Sequence, residues 1–229
     1  MLTAGEIAER LTAVRQRIAG AARRSGRAAD EVTLVLASKT QPPEAIRAAY
    51  AAGARDFGEN YVQEAATKLA AVATLADARW HLIGHLQTNK AKLAVSIFDL
   101  FQSIDSARLL SAIAKAHPAP PIRALIEVNL GDEATKTGAA PDSVEALIEA
   151  ARDRVEIIGL MTIPPPRAGL EASRGYFAQL RTMRDRLAAH SGLALSELSM
   201  GMTDDFEIAI EEGATMVRVG RAIFGERTR

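Results

Sequence analysis

VTLVLASKT, residues Val32–Thr40, contains the clearest buried strand in the sequence. Its first six residues are apolar apart from Thr33, and three of the six are β-branched. Such a run is typical of a strand that is covered on both faces, as strands of parallel sheets are. The run then gives way to Ser38, Lys39 and Thr40, so the predicted strand presents a lysine at its carboxyl end.

Lys39 has two interpretations at this position. An unpaired ammonium is costly to bury, so the side chain must reach solvent, meet an anion or lose its proton. A lysine that simply snorkels out of a strand end is the commoner case. A partly desolvated lysine, however, is the usual source of a neutral amine that forms an imine with an aldehyde.

Eight strand-then-helix units follow one another after an amphipathic N-terminal helix at about residues 3–24. The predicted strands span residues 32–38, 54–58, 79–84, 97–103, 122–129, 155–162, 195–200 and 215–220. Eight such units without hairpin signals most economically close into a (β/α)8 TIM barrel. A doubly wound sheet competes, but the glycine fingerprint that it needs after its first strand is missing. We therefore expect an α/β barrel that forms a single domain, residues 1–229.

The composition narrows the classes of function. Hydrophobic residues make up 48% of the chain, which is enough for a sizeable core. Lys plus Arg equals Asp plus Glu at 28 each, without a long basic run, so binding to nucleic acid is not expected. The absence of cysteine excludes thiolate metal sites and cysteine nucleophiles, and fits a reducing cytoplasm. Neither a membrane span nor a signal-peptide core is recognisable, so we expect a cytoplasmic protein.

The loop after predicted strand seven, LSMGMTDD at Leu198–Asp205, offers a candidate anion site. Barrel proteins place their sites at the carboxyl ends of the strands. Thr203 is expected to cap the next helix, with Asp204 and Asp205 in its first turn. A glycine-containing loop before a helix start exposes amides and hydroxyls to an anion. A plain capped loop explains this stretch equally well.

The loop after predicted strand eight, TMVRVGRAIFG at Thr215–Gly225, points to the same chemistry. Arg218 shares a strand face with Met216 and Gly220, and a buried arginine needs an acceptor or a ligand. Gly220 permits close backbone approach. Barrels often bind phosphate at the loops after strands seven and eight, so a phosphate site is favoured here. A phosphorylated aldehyde would satisfy both these loops and Lys39, and pyridoxal phosphate is the common one.

A histidine pair that suggests a metal site is rejected on geometry. His81 and His85 stand four residues apart in a predicted strand, which separates them by about 13 Å. Two ligands that far apart cannot share a zinc ion at about 2 Å each. No metal site is predicted, and Trp80 beside them is expected to serve the packing of the barrel.

Seven motifs occur in an order that matches a known family. They are SKT at 38–40, FGENYVQE at 57–64, WHLIGHLQTNK at 80–90, VN...E..K.G at 128–138, GLMTIP at 159–164, SMGMTDDFEIAI at 199–210 and MVRVGRAIFG at 216–225. Together they strongly resemble the pyridoxal phosphate homeostasis protein family, the YggS/PROSC-like proteins, over essentially the whole chain. The fold of that family is similar to the N-terminal barrel of alanine racemase, a fold-type III pyridoxal phosphate protein.

The resemblance implies a role for each matching residue. Lys39 would carry the cofactor as an internal aldimine, Asn60 would lie beside the ring, and Arg218 would face the pyridine nitrogen. The phosphate would be held by Ser199, Gly201, Thr203 and Gly220. Arg221 departs from the pattern, because many relatives have Ser or Thr there, so a hydroxyl contact to phosphate at this position is in doubt.

The same resemblance implies a binding and regulatory protein that holds pyridoxal phosphate and supplies apo-enzymes. An arginine opposite the pyridine nitrogen disfavours a protonated ring, which weakens the ring as an electron sink. Racemisation also needs a second base, which racemases complete with a β-domain that a chain ending at Arg229 does not accommodate. The alternatives are a racemase-like enzyme and a cofactor-free Schiff-base aldolase acting on a phosphorylated sugar. A monomer is expected.

Overall fold

The strands form one closed parallel barrel in sequence order, which confirms the predicted (β/α)8 TIM-barrel fold. The computed structural model describes residues 2–116, 121–131, 137–151, 154–165 and 169–226. Each strand overlaps its predicted counterpart and is shorter than it. The strands are β1 Thr33–Ala37, β2 Asp56–Glu59, β3 Arg79–Leu82, β4 Leu100–Ile104, β5 Ile122–Glu127, β6 Val155–Met161, β7 Glu197–Ser199 and β8 Met216–Val219.

Helices surround this barrel and follow the strands in turn. They are α1 Ala4–Arg24, α2 Pro43–Ala51, α3 Val62–Ala71, α4 Ala91–Ala94, α5 Ala107–Ala116, α6 Val144–Ala151, α7 Gly169–Ser191, α8 Phe206–Glu211 and α9 Arg221–Phe224. The first of them is the predicted N-terminal helix. It begins with a capping box, in which the Thr3 hydroxyl accepts the Glu6 amide and the Glu6 carboxylate accepts the Thr3 amide. Its apolar stripe is buried against α2, α8 and α9.

One helix start differs from its prediction. We expected Thr203 to be the N-cap, but Thr203–Asp205 form a turn and α8 begins at Phe206. The cause is the Asp205 carboxylate, which accepts the amide of Met202 at 2.7 Å and closes the turn that precedes the helix. Thr203 is therefore left in the loop, where its side chain is not needed as a cap.

The two faces of the barrel wall bury different residues. Val217 and Val219 of β8 point outward into the main core beneath the helices, whereas Met216 belongs to a smaller apolar cluster inside the barrel. Trp80 is buried outside the barrel and stacks on Phe57 with ring centroids 5.2 Å apart, as its predicted packing role requires. None of the helices in the described part of the chain has the length and hydrophobicity needed to cross a bilayer.

Candidate functional site

A cavity of about 610 Å³ opens at the carboxyl ends of the strands. Five of the seven predicted site residues line it, namely Lys39, Asn60, Thr203, Arg218 and Gly220. Apolar side chains such as Ile83 and Ile163 form other parts of its wall. The two remaining predicted residues, Ser199 and Gly201, do not line the cavity but contact residues that do. The structure thus brings the predicted amine and the predicted anion-binding loops to one cavity.

Lys39 reaches this cavity from the turn that follows β1, and its side chain is half-buried. The end of β8 lies directly beside it, because a Cβ placed on Gly220 would be only 3.2 Å from the carbonyl oxygen of Ala37. The close approach of these two strand ends places the lysine next to the loop after β8. A larger residue than glycine at position 220 would press against the segment that carries the lysine.

Gly201 sets the path of the loop after β7. Its φ of 90° lies in the left-handed region that disfavours side chains, and a Cβ there would be 2.5 Å from the Cβ of Ala209. Its carbonyl oxygen accepts the amide of Arg218 at 3.0 Å, which joins this loop to β8. The glycine therefore allows the loop to press against α8 while remaining bonded to the strand.

Arg218 is a buried cation whose position is fixed by two hydrogen bonds. Its Nη1 donates to the Ser199 hydroxyl at 2.5 Å and its Nη2 to the carbonyl oxygen of Thr162 at 2.9 Å. Burial lowers the pKa of Arg218 to about 10, against the opposing attraction of the Glu127 and Asp205 carboxylates. The guanidinium is therefore still protonated at neutral pH, and it faces the cavity as a positive charge.

The hydroxyl of Ser199 begins a line of hydrogen bonds across the inside of the barrel. It donates to Gln102 Oε1 at 2.6 Å, and Gln102 Nε2 donates to His81 Nδ1 at 2.8 Å. His81 Nε2 then donates to Asp56 Oδ1 at 3.0 Å. We call Arg218, Ser199, Gln102, His81 and Asp56 the interior chain. Beyond its last member, Arg79 donates to the Asp56 carboxylate through two nitrogens.

The sequence prediction missed Gln102 and Asp56 as parts of the site. The available signal for Gln102 was a long polar side chain within a strand of large apolar residues, LFQSI at Leu100–Ile104. A phosphate contact from the Ser199 hydroxyl stays a prediction. In this structure the single proton of that hydroxyl is directed to Gln102, away from the cavity.

The two histidines considered as a metal pair have separate partners. His81 lies in the interior chain, whereas His85 Nδ1 is 3.1 Å from the carboxylate of Asp105. Among the described residues, no group of three or more His, Cys, Asp or Glu side chains is arranged to hold a metal ion. Glu133 and Lys136, which belong to the motif at 128–138, lie outside the described residues.

Arg221 lies on the wall of the cavity and forms an ion pair with Asp204, which lines the cavity too. That carboxylate raises the pKa of Arg221. A second contact, to Glu226, is longer at 3.5 Å. Position 221, where many relatives have Ser or Thr, thus holds a cation beside the predicted phosphate loops.

The polar groups of the cavity fit a phosphorylated aldehyde. Lys39 supplies a primary amine, Arg218 and Arg221 supply positive charge, and the loops contribute Thr203 and Gly220. Asn60 Oδ1 is buried and has no hydrogen-bond partner among the described residues. A buried acceptor of this kind is expected where a ligand supplies the donor.

Comparison with known proteins identifies the family. The family model described as alanine racemase, N-terminal domain, matches residues 10–228. A pyridoxal phosphate homeostasis protein of Aquifex aeolicus is 46% identical over 96% of this chain and 97% of its own length. The protein of the same description from Escherichia coli K12 is 40% identical over 97% of each chain.

Solved structures agree with this assignment. PipY of Synechococcus elongatus is 39% identical, covers 96% of this chain and 100% of its own, and has TM-scores of 0.87 without and 0.85 with bound pyridoxal phosphate. Alanine racemase of Corynebacterium glutamicum is 16% identical over 98% of this chain and 62% of its own, with a TM-score of 0.70, which shows a shared fold. The resemblance carried by the seven motifs is confirmed. The chain belongs to the pyridoxal phosphate homeostasis protein family.

Proposed function

We propose that this protein binds pyridoxal 5'-phosphate through an imine between Lys39 and the aldehyde carbon, and holds it as a reserve for other proteins. The observation that carries the proposal is the cavity wall that Lys39 shares with Arg218 and the loops after β7 and β8. Imine formation joins the amine nitrogen to the aldehyde carbon and releases one water, so the bond is reversible and the cofactor can leave again. PipY, which binds the same cofactor, supports this assignment.

The placement of Arg218 favours a carrier over an enzyme. Bound pyridoxal phosphate supplies an electron sink for carbanions, and that sink is strongest when the pyridine nitrogen is protonated. Arg218 has no acceptor for a ring proton and is still charged at neutral pH, so a nitrogen facing it is kept unprotonated. The two hydrogen bonds of Arg218 hold it in that position.

The phosphate, in this proposal, lies against the loops after β7 and β8. Thr203 and Gly220 line the cavity there, and Gly201 shapes the backbone of the first loop. Ser199 contributes by holding Arg218, because a direct bond from its hydroxyl to phosphate would require breaking the bond to Gln102. Arg221 adds positive charge, part of which is neutralised by Asp204.

The relatives are named for pyridoxal phosphate homeostasis, which supports a role in controlling the amount of this reactive aldehyde. We infer that the protein supplies the cofactor to apo-enzymes and acts in the cytoplasm as a monomer. The proposal gives it no catalytic residue. A racemase-like activity is the second candidate, since alanine racemase shares the barrel, but an identity of 16% supports only the common fold.

Trapping the imine tests the proposal directly. Purified protein is mixed with pyridoxal 5'-phosphate, its visible absorbance is recorded, and the complex is reduced with borohydride before peptide mass spectrometry. We expect a pyridoxyl adduct on Lys39 that is lost in Lys39→Ala and retained in Lys92→Ala, which removes an exposed lysine away from the cavity. The absence of any adduct, or an adduct spread over surface lysines, would contradict the proposal.

The same samples separate the alternatives. Interconversion of D- and L-amino acids that disappears in Lys39→Ala would support the racemase-like enzyme. A protein that stays colourless with pyridoxal 5'-phosphate, yet gives a borohydride-trapped adduct on Lys39 with a phosphorylated sugar, would support the aldolase.

A further inference from the structure

A buried lysine outside the cavity contacts the segment that carries Lys39. Lys68 of α3 is only 6% exposed, although lysine is rarely buried so fully unless it is paired. Its Nζ donates to the carbonyl oxygen of Ser38 at 2.9 Å, to Glu59 Oε1 at 2.8 Å and to Glu64 Oε1 at 3.0 Å. The ammonium thus binds the backbone next to Lys39 and two carboxylates at once.

Those two carboxylates bind the same segment from either side. Glu59 Oε1 accepts the hydroxyl of Ser38 at 2.6 Å, and Glu64 Oε1 accepts the backbone amide of Thr40 at 2.7 Å. Of the two neighbours of Lys39 in the chain, Ser38 is therefore bound by Lys68 and Glu59, and Thr40 is bound by Glu64. We call these three charged side chains the Lys68 clamp. Its two acidic residues belong to the motif FGENYVQE at 57–64.

The backbone of Thr40 shows why such a clamp is needed. Its φ of 66° lies in the left-handed region, which is uncommon for residues with side chains and particularly so for β-branched ones. The bond from its amide to Glu64 stabilises this conformation, and with it the sharp turn after β1. Without that bond the turn would relax, and the direction in which Lys39 leaves the barrel wall would change.

Stability alone does not explain buried charges at this place. A buried ion pair gains little over well-packed apolar side chains, because desolvation offsets most of the attraction. Burial raises the pKa of Glu59. Burial would also raise the pKa of Glu64, but the amide of Thr40 and the ammonium groups of Lys68 and Lys39 outweigh it and lower that pKa. Glu64 is therefore ionised at neutral pH and acts electrostatically on Lys39.

We propose that the Lys68 clamp positions Lys39, by fixing the backbone on both sides of it so that its amine is directed into the cavity. The inference rests on the proposed function, in which that amine forms the imine. Lys68, Glu59 and Glu64 are positioning residues, since they act through the segment 38–40. Removing the clamp should slow imine formation even when the fold and the cavity are retained.

The first test follows the backbone in cofactor-free protein, by amide hydrogen exchange at Thr40. We expect Glu64→Ala to raise the exchange rate of this amide about fivefold or more, because it removes the carboxylate that accepts the amide. Glu64→Gln keeps the oxygen that accepts the bond and should leave exchange near the wild-type rate. Thr67→Ala is the matched control, because Thr67 lies in the same helix and its hydroxyl donates to the carbonyl oxygen of Gln63.

The second test measures the reactivity of the Lys39 amine in two ways. One is the rate of imine formation with pyridoxal 5'-phosphate, and the other is the rate of acetylation by acetic anhydride. Lys68→Met and Glu64→Ala should slow imine formation about tenfold, which corresponds to about 1.4 kcal/mol of activation free energy. Glu64→Gln retains the turn but loses a charge that favours the ammonium, so its Lys39 should be acetylated faster than wild type at the same pH. Leu187→Ala, a core truncation in α7, controls for general loss of stability.

Three outcomes decide the inference. Wild-type imine rates in both Lys68→Met and Glu64→Ala, or unchanged Thr40 exchange in Glu64→Ala, would overturn it. Equal slowing in Leu187→Ala would overturn it too, because the effect would then be one of stability. If Lys68→Met does not fold, Glu64→Ala carries the test, since Glu64 is partly exposed on its helix. If wild type forms no imine at Lys39, the proposed function fails, while Thr40 exchange and acetylation still report on the clamp.

Discussion

The interior chain shows how a few side chains inside the barrel fix the position of Arg218 in the cavity wall. The hydrogen bonds that link its members all run in the same direction, from Arg218 to Asp56. The His81 ring therefore accepts at Nδ1 and donates at Nε2. A change at any link removes the acceptor of the preceding donor, so we expect substitutions in the chain to affect the hydrogen bonding of Arg218.

Ser199→Ala is the sharpest test of this coupling. It leaves Gln102 Oε1 without its donor and Arg218 Nη1 without its acceptor, and a buried group left unsatisfied costs about 1–3 kcal/mol. We expect urea unfolding to show a loss of that size, together with weaker binding of pyridoxal 5'-phosphate. Ser103→Ala is the control, because Ser103 is equally buried but donates to the carbonyl oxygen of Gly84. Equal effects of the two substitutions on cofactor binding would argue against the coupling.

Asp56 gives the chain a predictable response to acid. Burial would raise the pKa of Asp56, but hydrogen bonds from His81 and Arg79 outweigh it and lower the pKa below its ordinary value of 3.8. The native state therefore binds this proton less readily than the unfolded state does. The stability that Asp56 contributes is complete above pH 3.8 and is lost as the pH falls through its lower native pKa.

The expected result is a flatter dependence of unfolding free energy on pH, below about pH 4, in Asp56→Asn than in wild type. Asp205 provides the opposite case, because burial raises its pKa above the ordinary value of 3.8. The stability that Asp205 contributes is therefore complete below pH 3.8 and declines as the pH rises through its higher native pKa. Denaturant unfolding at a series of pH values compares Asp56→Asn and Asp205→Asn. Parallel profiles for Asp56→Asn and wild type would show that the ion pair with Arg79 does not control acid stability.

At the scale of the elements, the order of strands and helices could be predicted because parallel strands that are buried on both faces leave long apolar runs in the sequence. The run at Val32–Thr40 contains β1, and the run at Val155–Thr162 contains β6. The start of α8 could not be predicted in the same way. It depends on the hydrogen bond between the Asp205 carboxylate and the Met202 amide. Thr203, Asp204 and Asp205 are all residue types that cap helices, so the sequence does not show which of them forms that bond.

The site was predictable where it depends on position along a strand. Lys39, Asn60 and Gly220 follow strand ends, and strand ends meet at one side of a barrel. Lys68 and Gln102 could not be predicted from position along a strand, because their roles depend on which side chains meet across neighbouring elements. Lys68 appears in the sequence as an ordinary residue of an amphipathic helix. Only the structure shows its ammonium beneath the turn after β1.

The loop between β7 and α8 makes a prediction at this scale. In Gly201→Ala the new Cβ meets both a left-handed backbone and the Cβ of Ala209 at 2.5 Å, so we expect a loss of about 1–3 kcal/mol in unfolding free energy. Gly192→Ala is the matched control. Gly192 has φ of 71° but nothing within 4 Å of its added Cβ, so only the backbone strain is shared. Cofactor binding should weaken in Gly201→Ala alone, and equal binding in both variants would argue against a role for this loop in holding the phosphate.

For the whole molecule, the barrel joins the two ends of the described chain. Residues Thr33–Leu36 of β1 pair with Met216–Val219 of β8, which closes the sheet. Outside it, α1 packs against α8 and α9 as well as α2. Neither end can therefore separate from the barrel without opening the sheet or exposing the apolar face of α1.

This closure leads us to expect that residues 1–229 unfold as a single domain. Leu11→Ala in α1 and Val217→Ala in β8 truncate fully buried side chains near opposite ends of the sequence, and each should lower the midpoint of the whole transition. Calorimetry should give equal calorimetric and van't Hoff enthalpies for wild type and for both variants, because the same core is lost in each case. Two separate transitions, or a midpoint that shifts for one spectroscopic probe and not for another, would show that α1 or β8 unfolds independently of the barrel.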